Sequence, residues 1–178
     1  DGQEIYLMRD GTITYNWDTY EQQKIGDTEP WGNGSLGLNV RFLNFTLYTT
    51  FTFEFGGDQY NQTLVDNVEN VNLWRYNADR RVLSQRWQNP GDLTSLKSLK
   101  DRYYVTRPTS RFVQKNNTLT FNSLNVGYDF NRDLVRRIGF DMLRLQFSMN
   151  DITTISSIKR EMGLSYPFAR TFTFTLNA

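Results

Sequence analysis

Residues 45–55 alternate between apolar and polar side chains with a period of two. The odd positions read Phe, Leu, Thr, Phe, Phe, Phe and the even positions read Thr, Tyr, Thr, Thr, Glu. Because successive side chains of a strand point to opposite faces, this pattern predicts a β-strand with one apolar and one polar face. About eleven residues is also the length of a tilted strand that crosses a bilayer. The apolar face therefore meets either a protein core or lipid.

Four other segments show the same alternation. The five strands are predicted near 35–43, 45–56, 118–130, 141–150 and 168–178. Only Leu43-Asn44 separates the first two, so these two should form a hairpin with a very short turn. In the third strand the apolar positions change parity near Asn122-Ser123, which predicts a β-bulge there or an upper part that lies outside the lipid.

Loops are predicted at 1–34, 57–117 and 151–167. The first should contain a small hairpin around Asp10-Gly11, a dipeptide that suits a tight turn. The second carries weak helical spacing at Leu64, Val68 and Val71, and a second helical candidate at 79–87. So long a loop is unusual inside a compact domain and ordinary on the outer side of an outer-membrane barrel.

The connections between strands are of two kinds. Those at 43–44 and 131–141 are short, whereas those at 57–117 and 151–167 are longer, so one end of the sheet carries turns and the other carries loops. Five strands cannot close a barrel, and an open sheet would leave two edges unpaired. The predicted fold is therefore all-β: an antiparallel transmembrane β-barrel segment with long external loops. The alternatives are a soluble β-sandwich that binds carbohydrate and a passive porin-like barrel.

Composition narrows the chemistry. The 178 residues carry a net charge of +1, which gives no reason to expect a nucleic-acid partner. Cysteine and histidine are both absent, which excludes thiol and imidazole catalysis and the metal sites those residues form. An enzyme would have to use carboxylates such as Glu54, Asp58 and Asp92, and no spacing brings two of them together. We expect no catalytic residue, no metal, no cofactor and no enzymatic activity.

Six motifs, taken in order, make the chain similar to the C-terminal end of SusC/RagA-type TonB-dependent (TonB-linked) outer-membrane transporters. They are 25–30 (Ile-Gly-Asp-Thr-Glu-Pro), 41–47 (Arg-Phe-Leu-Asn-Phe-Thr-Leu), 55–61 (Phe-Gly-Gly-Asp-Gln-Tyr-Asn), 85–92 (Gln-Arg-Trp-Gln-Asn-Pro-Gly-Asp), 124–130 (Leu-Asn-Val-Gly-Tyr-Asp-Phe) and 166–174 (Tyr-Pro-Phe-Ala-Arg-Thr-Phe-Thr-Phe). The resemblance spans nearly the whole chain. The family's chains end on an aromatic residue, whereas this one ends on Ala178.

The resemblance implies a 22-stranded barrel, of which residues 1–178 would supply the last five strands, and a plug domain that is absent from this chain. It implies import of glycans or oligopeptides across the outer membrane of a Gram-negative bacterium. The implied partners are the rest of the transporter, a SusD-like surface lipoprotein that forms a lid, TonB and membrane lipid. Turns 43–44 and 131–141 would be periplasmic, and loops 1–34, 57–117 and 151–167 extracellular.

Three sets of candidate residues follow. The expected lipid-facing residues are Phe45, Leu47, Phe51, Phe53, Phe55, Leu143, Leu145, Phe147, Phe172, Phe174 and Leu176. The expected lumen-facing residues are Arg41, Tyr48, Glu54, Arg144 and Gln146. Candidate contacts to the lid or a ligand are Trp74, Tyr76, Arg86 and Trp87, since aromatic rings and guanidinium groups give flat, partly apolar contacts. The alternative is that these four pack the long loop on itself.

Overall fold

A computed structural model describes residues 2–75, 77–101, 105–159 and 170–178. Its strands are β1 (Tyr6–Leu7), β2 (Ile13–Thr14), β3 (Gly32–Phe42), β4 (Phe45–Tyr60), β5 (Val113–Asp129), β6 (Arg144–Ser156) and β7 (Phe172–Asn177). Its α-helices are α1 (Gln62–Leu64), α2 (Arg81–Ser84) and α3 (Arg132–Arg137), and a π-helical turn spans Val65–Glu69. Over these ranges no helix has the length and apolar character needed to cross a membrane.

The chain divides into two compact units. The sheet unit comprises Glu29–Gly57, Asn116–Ser157 and Ala169–Ala178. The loop unit comprises Asp1–Thr28, Asp58–Lys115 and Ile158–Phe168. The alternating segments thus form one unit and the long polar segments form another.

The sheet unit contains one five-stranded antiparallel sheet in the order β3-β4-β5-β6-β7. Each strand pairs with its neighbours in the chain, which confirms the predicted all-β antiparallel segment. The outermost strands, β3 and β7, each have one neighbour, so the sheet is not closed. In the described ranges the other sheet is the two-stranded β1-β2 hairpin. The β-sandwich alternative is therefore wrong, because it requires a second large sheet to cover the first.

The strand β3 begins at Gly32, three residues before its predicted start. The glycines at 32 and 34 look like loop residues in the sequence, yet they pair with Phe55 and Phe53. A Cβ on Gly32 would lie 2.6 Å from the Phe55 ring, and one on Gly34 would lie 2.8 Å from the Phe53 ring. The phenylalanine rings cover the glycines and take the place of their missing side chains.

The other strand ends also differ from the prediction. The strand β4 continues past Gly56, whose φ of 89° is tolerated without a side chain, and β5 starts at Val113 instead of 118. The strand β6 starts at Arg144 and continues past Asp151, which has a φ of 50°. The last strand is described over Phe172–Asn177, and residues 168–169 of its predicted range lie outside the described residues.

The predicted irregularity in β5 is present. Phe121 pairs with Thr153 and Ser123 pairs with Asn150, so the register shifts between these two pairs. The Ser123 hydroxyl lies 2.7 Å from that of Thr50, and the preceding Asn122 hydrogen-bonds Thr52 on the same face of β4. Two consecutive side chains on one face are the mark of a β-bulge. The bulge brings Phe121 and Leu124 to the same apolar face despite their different parity.

The loop unit has a small apolar core. Its buried members are Leu64, Val65, Val68, Val71, Val82, Leu96 and Phe112. The helical spacing of Leu64, Val68 and Val71 thus indicated true core positions. The predicted hairpin is also present, with Gly11 at a φ of 84° between β1 and β2. The second helical candidate shortens to α2.

Candidate functional site

The apolar face of the sheet carries several groups of aromatic contacts. Phe45 lies 4.6 Å from Tyr128, and Phe51 stacks on Phe121 at the same centroid distance. Further along, Phe147 of β6 contacts Phe174 of β7 with centroids 5.0 Å apart. The expected lipid-facing side chains on this face are exposed or half-buried, with Phe174 71% exposed. The described residues therefore leave this apolar face uncovered, whereas a protein core would bury such side chains.

The opposite face is polar and is crossed by hydrogen bonds between strands. Thr120 and Thr118 of β5 lie 3.3 and 3.2 Å from Thr154 and Ser156 of β6, hydroxyl to hydroxyl. The Asn116 side-chain amide donates to Glu54 Oε1 at 2.9 Å. Because these side chains satisfy one another, this face is suited to water rather than to a hydrocarbon.

Arg144 reaches across three strands on the polar face. Its guanidinium leaves β6, passes over Gly127 of β5 and donates to the Thr46 hydroxyl of β4 at 2.9 Å. It also approaches the Asp129 carboxylate at 3.6 Å. A Cβ on Gly127 would lie 2.6 Å from Thr46 Oγ1 and 2.7 Å from the Arg144 guanidinium. The glycine is what leaves room for the arginine.

The remaining expected lumen-facing residues lie on the same polar face by strand parity. Arg41 pairs with Thr46, Tyr48 pairs with Asn39, and Gln146 pairs with Gly127. Tyr48 is 46% exposed and Arg41 is also exposed. The geometry thus brings the five predicted polar residues to one face.

In the loop unit, Arg86 is the central polar residue. It is 4% exposed, and its guanidinium donates to the backbone carbonyls of Val82, Lys97, Val68 and Glu69. These carbonyls come from separate parts of the loop, so one side chain ties them together. The position of Arg86 supports the alternative that it packs the loop on itself.

A buried acidic residue lies beside this arginine. Glu69 is fully buried, and its Oε1 accepts from Arg111 at 3.1 Å. Arg111 also contacts Glu4, which in turn accepts from the Tyr6 hydroxyl at 2.6 Å. Among the described residues Glu69 Oε2 has no hydrogen-bond partner. Burial raises the pKa of Glu69 above its ordinary value, and the positive charge of Arg111 opposes that shift.

A cavity of about 570 Å³ opens next to Arg111 within the loop unit. Its size lies in the range of small-molecule sites. The wall is mainly apolar and aromatic, with two carboxylates and several amide or hydroxyl groups. Its lining residues include Ile5, Tyr6, Leu7, Met8, Trp17, Asp18, Glu21, Ile25, Tyr60, Thr109, Arg111 and Val113.

Several polar side chains line the cavity, and three of them have well-defined surroundings. The Thr109 hydroxyl is buried without a hydrogen-bond partner in the described ranges. Asp18 accepts the backbone N–H of Tyr20 at 2.9 Å, and Glu21 accepts that of Arg9 at 2.9 Å, so each carboxylate is held in place by the backbone. Such fixed acceptors around an apolar wall can orient a ligand that carries N–H or O–H donors.

The four predicted contact residues have different environments. Trp74 is 88% exposed, whereas Trp87 is half-buried, and a Cβ on Gly2 would lie 2.5 Å from its ring. Tyr76 lies outside the described residues. The sequence reasoning missed the cavity, because its walls come from segments around residues 5–25, 60 and 108–113. The available signal was the group of aromatic residues in the first loop.

The acidic side chains that the structure describes lie in several parts of the chain. In the described ranges no group of three or more acidic side chains is arranged to hold a metal ion. Glu54 pairs with Asn116, Asp58 with Lys115 at 2.9 Å, and Asp92 accepts the backbone N–H groups of Gln88 and Asn89. Each of these three carboxylates thus binds a different group of the protein.

Comparison with known proteins gave one relative of interest and a set of structures. No family model matches the chain. The chain is 29% identical over 142 residues to the TonB-dependent receptor P39 of Formosa agariphila, an alignment that covers 73% of this chain and 13% of the receptor.

The fold is similar to parts of solved importers. Two structures of the RagAB peptide importer, in the open-open and closed-closed states, match with a TM-score of 0.65 at 15% identity. The matches cover 88% and 89% of this chain and 17% and 18% of the importer chains. The RagAB peptide transporter matches with a TM-score of 0.62 at 14% identity. The chain thus spans less than a fifth of the length of these proteins, and the structural likeness shows the fold.

Proposed function

We propose that this chain, which resembles a segment of the SusC/RagA-type TonB-dependent transporters, is part of an outer-membrane importer energised through TonB. The resemblance itself is confirmed by the TonB-dependent receptor and by the RagAB structures. The observation that carries the proposal is the open five-stranded meander with one aromatic face and one hydrogen-bonded polar face. A closed barrel needs both faces and further strands at both edges.

The aromatic face meets membrane lipid in this proposal. Phe51 and Phe174 contact rings of neighbouring strands without being covered from above. Hydrocarbon would cover them with no polar group left unpaired. The proposed lipid-facing residues are Phe45, Leu47, Phe51, Phe53, Phe55, Leu143, Leu145, Phe147, Phe172, Phe174 and Leu176.

The polar face lines the water-filled interior of the barrel. Arg144, Glu54 and Gln146 would be costly against lipid and are ordinary against a wet lumen. Tyr48 and Arg41 lie on the same face. The interior would also hold the plug domain that the family places there.

The loop unit is extracellular in this proposal and meets a SusD-like lipoprotein lid. Trp74, which is 88% exposed, supplies a flat contact for the lid. Trp87, thirteen residues later in the sequence, is a second candidate. Arg86 acts differently, since its carbonyl contacts make it a positioning residue for the loop.

Cargo is an oligopeptide or a glycan, and the cavity favours the peptide. Its aliphatic wall includes Ile5, Leu7 and Met8, which suit apolar peptide side chains better than sugar hydroxyls. The carboxylates of Asp18 and Glu21 suit the N–H donors or cationic groups of a peptide.

The proposal is tested on the full-length protein. We expect it in the outer-membrane fraction of a density gradient, and we expect labelled oligopeptides to enter cells only when TonB is present. A full-length protein recovered in the soluble fraction would contradict the outer-membrane assignment. Uptake that is unchanged without TonB would instead support the passive porin-like alternative.

A further inference from the structure

The connection between β5 and β6 forms an unusual turn at one end of the sheet. It contains α3, and its neighbour in space is the Leu43-Asn44 turn, because the backbone N–H of Asp129 donates to the Asn44 carbonyl at 2.9 Å. Both turns therefore lie at the same end of the sheet.

Large apolar side chains project from this turn into solvent. Leu134 and Ile138, one helical turn apart, are 61% and 64% exposed. Phe140 and Met142 follow at 45% and 56%. Val135 points the other way and is 2% exposed, so it fixes the helix to the protein. An isolated exposed leucine is ordinary, whereas four large apolar side chains within nine residues form a patch.

Three arginines flank the apolar side chains. Arg132, Arg136 and Arg137 are exposed, and their guanidinium groups have no partner among the described residues. Asp133 and Asp141 oppose them, which leaves the turn with a positive excess. Favourable interaction with the helix dipole explains cations in the last turn, where Arg136 and Arg137 lie.

That explanation does not extend to Arg132. It is the first residue of α3, where the helix dipole disfavours a cation, and it lies four residues before Arg136, where like charges repel. A bound anion would lower this repulsion, so the three exposed arginines favour an anionic partner at this turn. Apolar side chains beside unpaired cations are the composition of a segment that lies in a membrane interface.

The patch is continuous with the apolar face of the sheet. Leu145, which follows the turn in β6, pairs with Leu176 and with Tyr128, and both leucines are exposed. Phe42 and Leu43, at the adjacent turn, are 69% and 77% exposed. An apolar surface thus runs from the strands to the arginines of the turn. Between Met142 and Leu145 the one polar residue is Arg144, and its side chain lies on the opposite face.

We propose that the α3 turn is an interfacial anchor that binds anionic phospholipid headgroups of the inner leaflet of the outer membrane. Leu134, Ile138, Phe140 and Met142 enter the acyl boundary, and Arg132, Arg136 and Arg137 bind the phosphates. The inference rests on the proposed function, because it requires the sheet to span the membrane with this end in the periplasm.

The test uses the full-length protein in nanodiscs of phosphatidylethanolamine containing phosphatidylglycerol. Native mass spectrometry measures which lipid the protein retains. We expect enrichment of phosphatidylglycerol, reduced at least tenfold by the combined change Arg132→Gln, Arg136→Gln and Arg137→Gln. The matched control removes three exposed cations of the loop unit, Arg75→Gln, Arg80→Gln and Lys100→Gln, and should leave the enrichment unchanged.

Two further measurements keep the inference falsifiable if the glutamine variant fails to fold. The corresponding lysine variant should retain most of the enrichment, and high salt should weaken it in the wild type because headgroup binding is electrostatic. Equal lipid retention by the wild type and the glutamine variant, or enrichment that does not change with salt, would each overturn the anchor. Failure of the wild type to insert into the bilayer would instead contradict the proposed function.

Discussion

At the residue scale, Arg86 illustrates how a loop of this length acquires a fixed shape. The sequence presents it as an arginine beside a tryptophan, which suggests a contact surface. The structure buries it among four backbone carbonyls, to each of which its guanidinium donates a hydrogen bond. No periodicity in the sequence indicates such a contact, because its partners come from separate turns of the chain.

Replacing Arg86 should therefore loosen the loop unit. Arg86→Met removes the guanidinium that donates to the buried carbonyls of Val68 and Glu69, which should cost about 2–4 kcal/mol of loop stability. Limited proteolysis of the full-length protein in detergent should show faster cleavage between residues 57 and 117. The matched variant Arg80→Met, at an exposed arginine, should be cut at the wild-type rate, and equal protection of both variants would contradict the role of Arg86.

Glu69 makes the loop unit sensitive to pH. Because burial raises its pKa in the folded state, the unfolded chain releases this proton at a lower pH than the folded one does. The stability from this residue is thus greatest below the ordinary glutamate pKa and falls as pH rises through the raised value. Asp79, whose pKa the Arg81 hydrogen bond lowers, acts in the opposite direction and only at more acidic pH.

The variant Glu69→Gln should flatten that dependence. Protease protection of the loop in wild type should decrease as pH rises from the ordinary glutamate pKa towards neutrality, since the charged form is poorly solvated. In Glu69→Gln the protection should stay nearly constant over the same range. A decrease of the same size in both proteins would assign the effect to another group.

At the scale of elements, the period-two pattern predicted the five strands of the sheet and the hairpin formed by the first two. Alternation is strong there because each strand has one apolar face and one polar face. Strand ends were predicted less well. Gly32 and Gly34 have the composition of a loop, and they belong to a strand because the rings of Phe55 and Phe53 cover them. The residues next to a glycine in the sequence do not indicate that a ring on the neighbouring strand will cover it.

Gly127 offers a direct test of packing on the polar face. Gly127→Val should force the Arg144 guanidinium away from Thr46 and lower the stability of the full-length protein by about 1–3 kcal/mol. Thermal unfolding in detergent measures the change. Gly37→Val is the matched control, since a Cβ at Gly37 in β3 meets open space. Equal unfolding temperatures for the two variants would show that Arg144 does not need the space above Gly127.

At the scale of the whole molecule, the faces of the sheet could be predicted and the cavity of the loop unit could not. The two faces can be predicted because each is formed by alternate residues of the same strand. The cavity follows from Tyr60, Trp17 and Arg111, which are far apart in the chain and come together only after the loop has folded. Its chemistry was therefore inaccessible to pattern analysis, although its aromatic residues were visible.

The central claim is that the phenylalanines of β4 face lipid and that the alternate residues face water. It is tested most directly by spin labels at Phe53→Cys and Glu54→Cys in the full-length protein, reconstituted in bilayers and free of other reactive cysteines. Adjacent positions should differ sharply, with the label at 53 accessible to oxygen dissolved in the lipid and the label at 54 accessible to a water-soluble nickel complex. Equal access of the nickel complex to both labels, or shielding of both by protein, would contradict the claim.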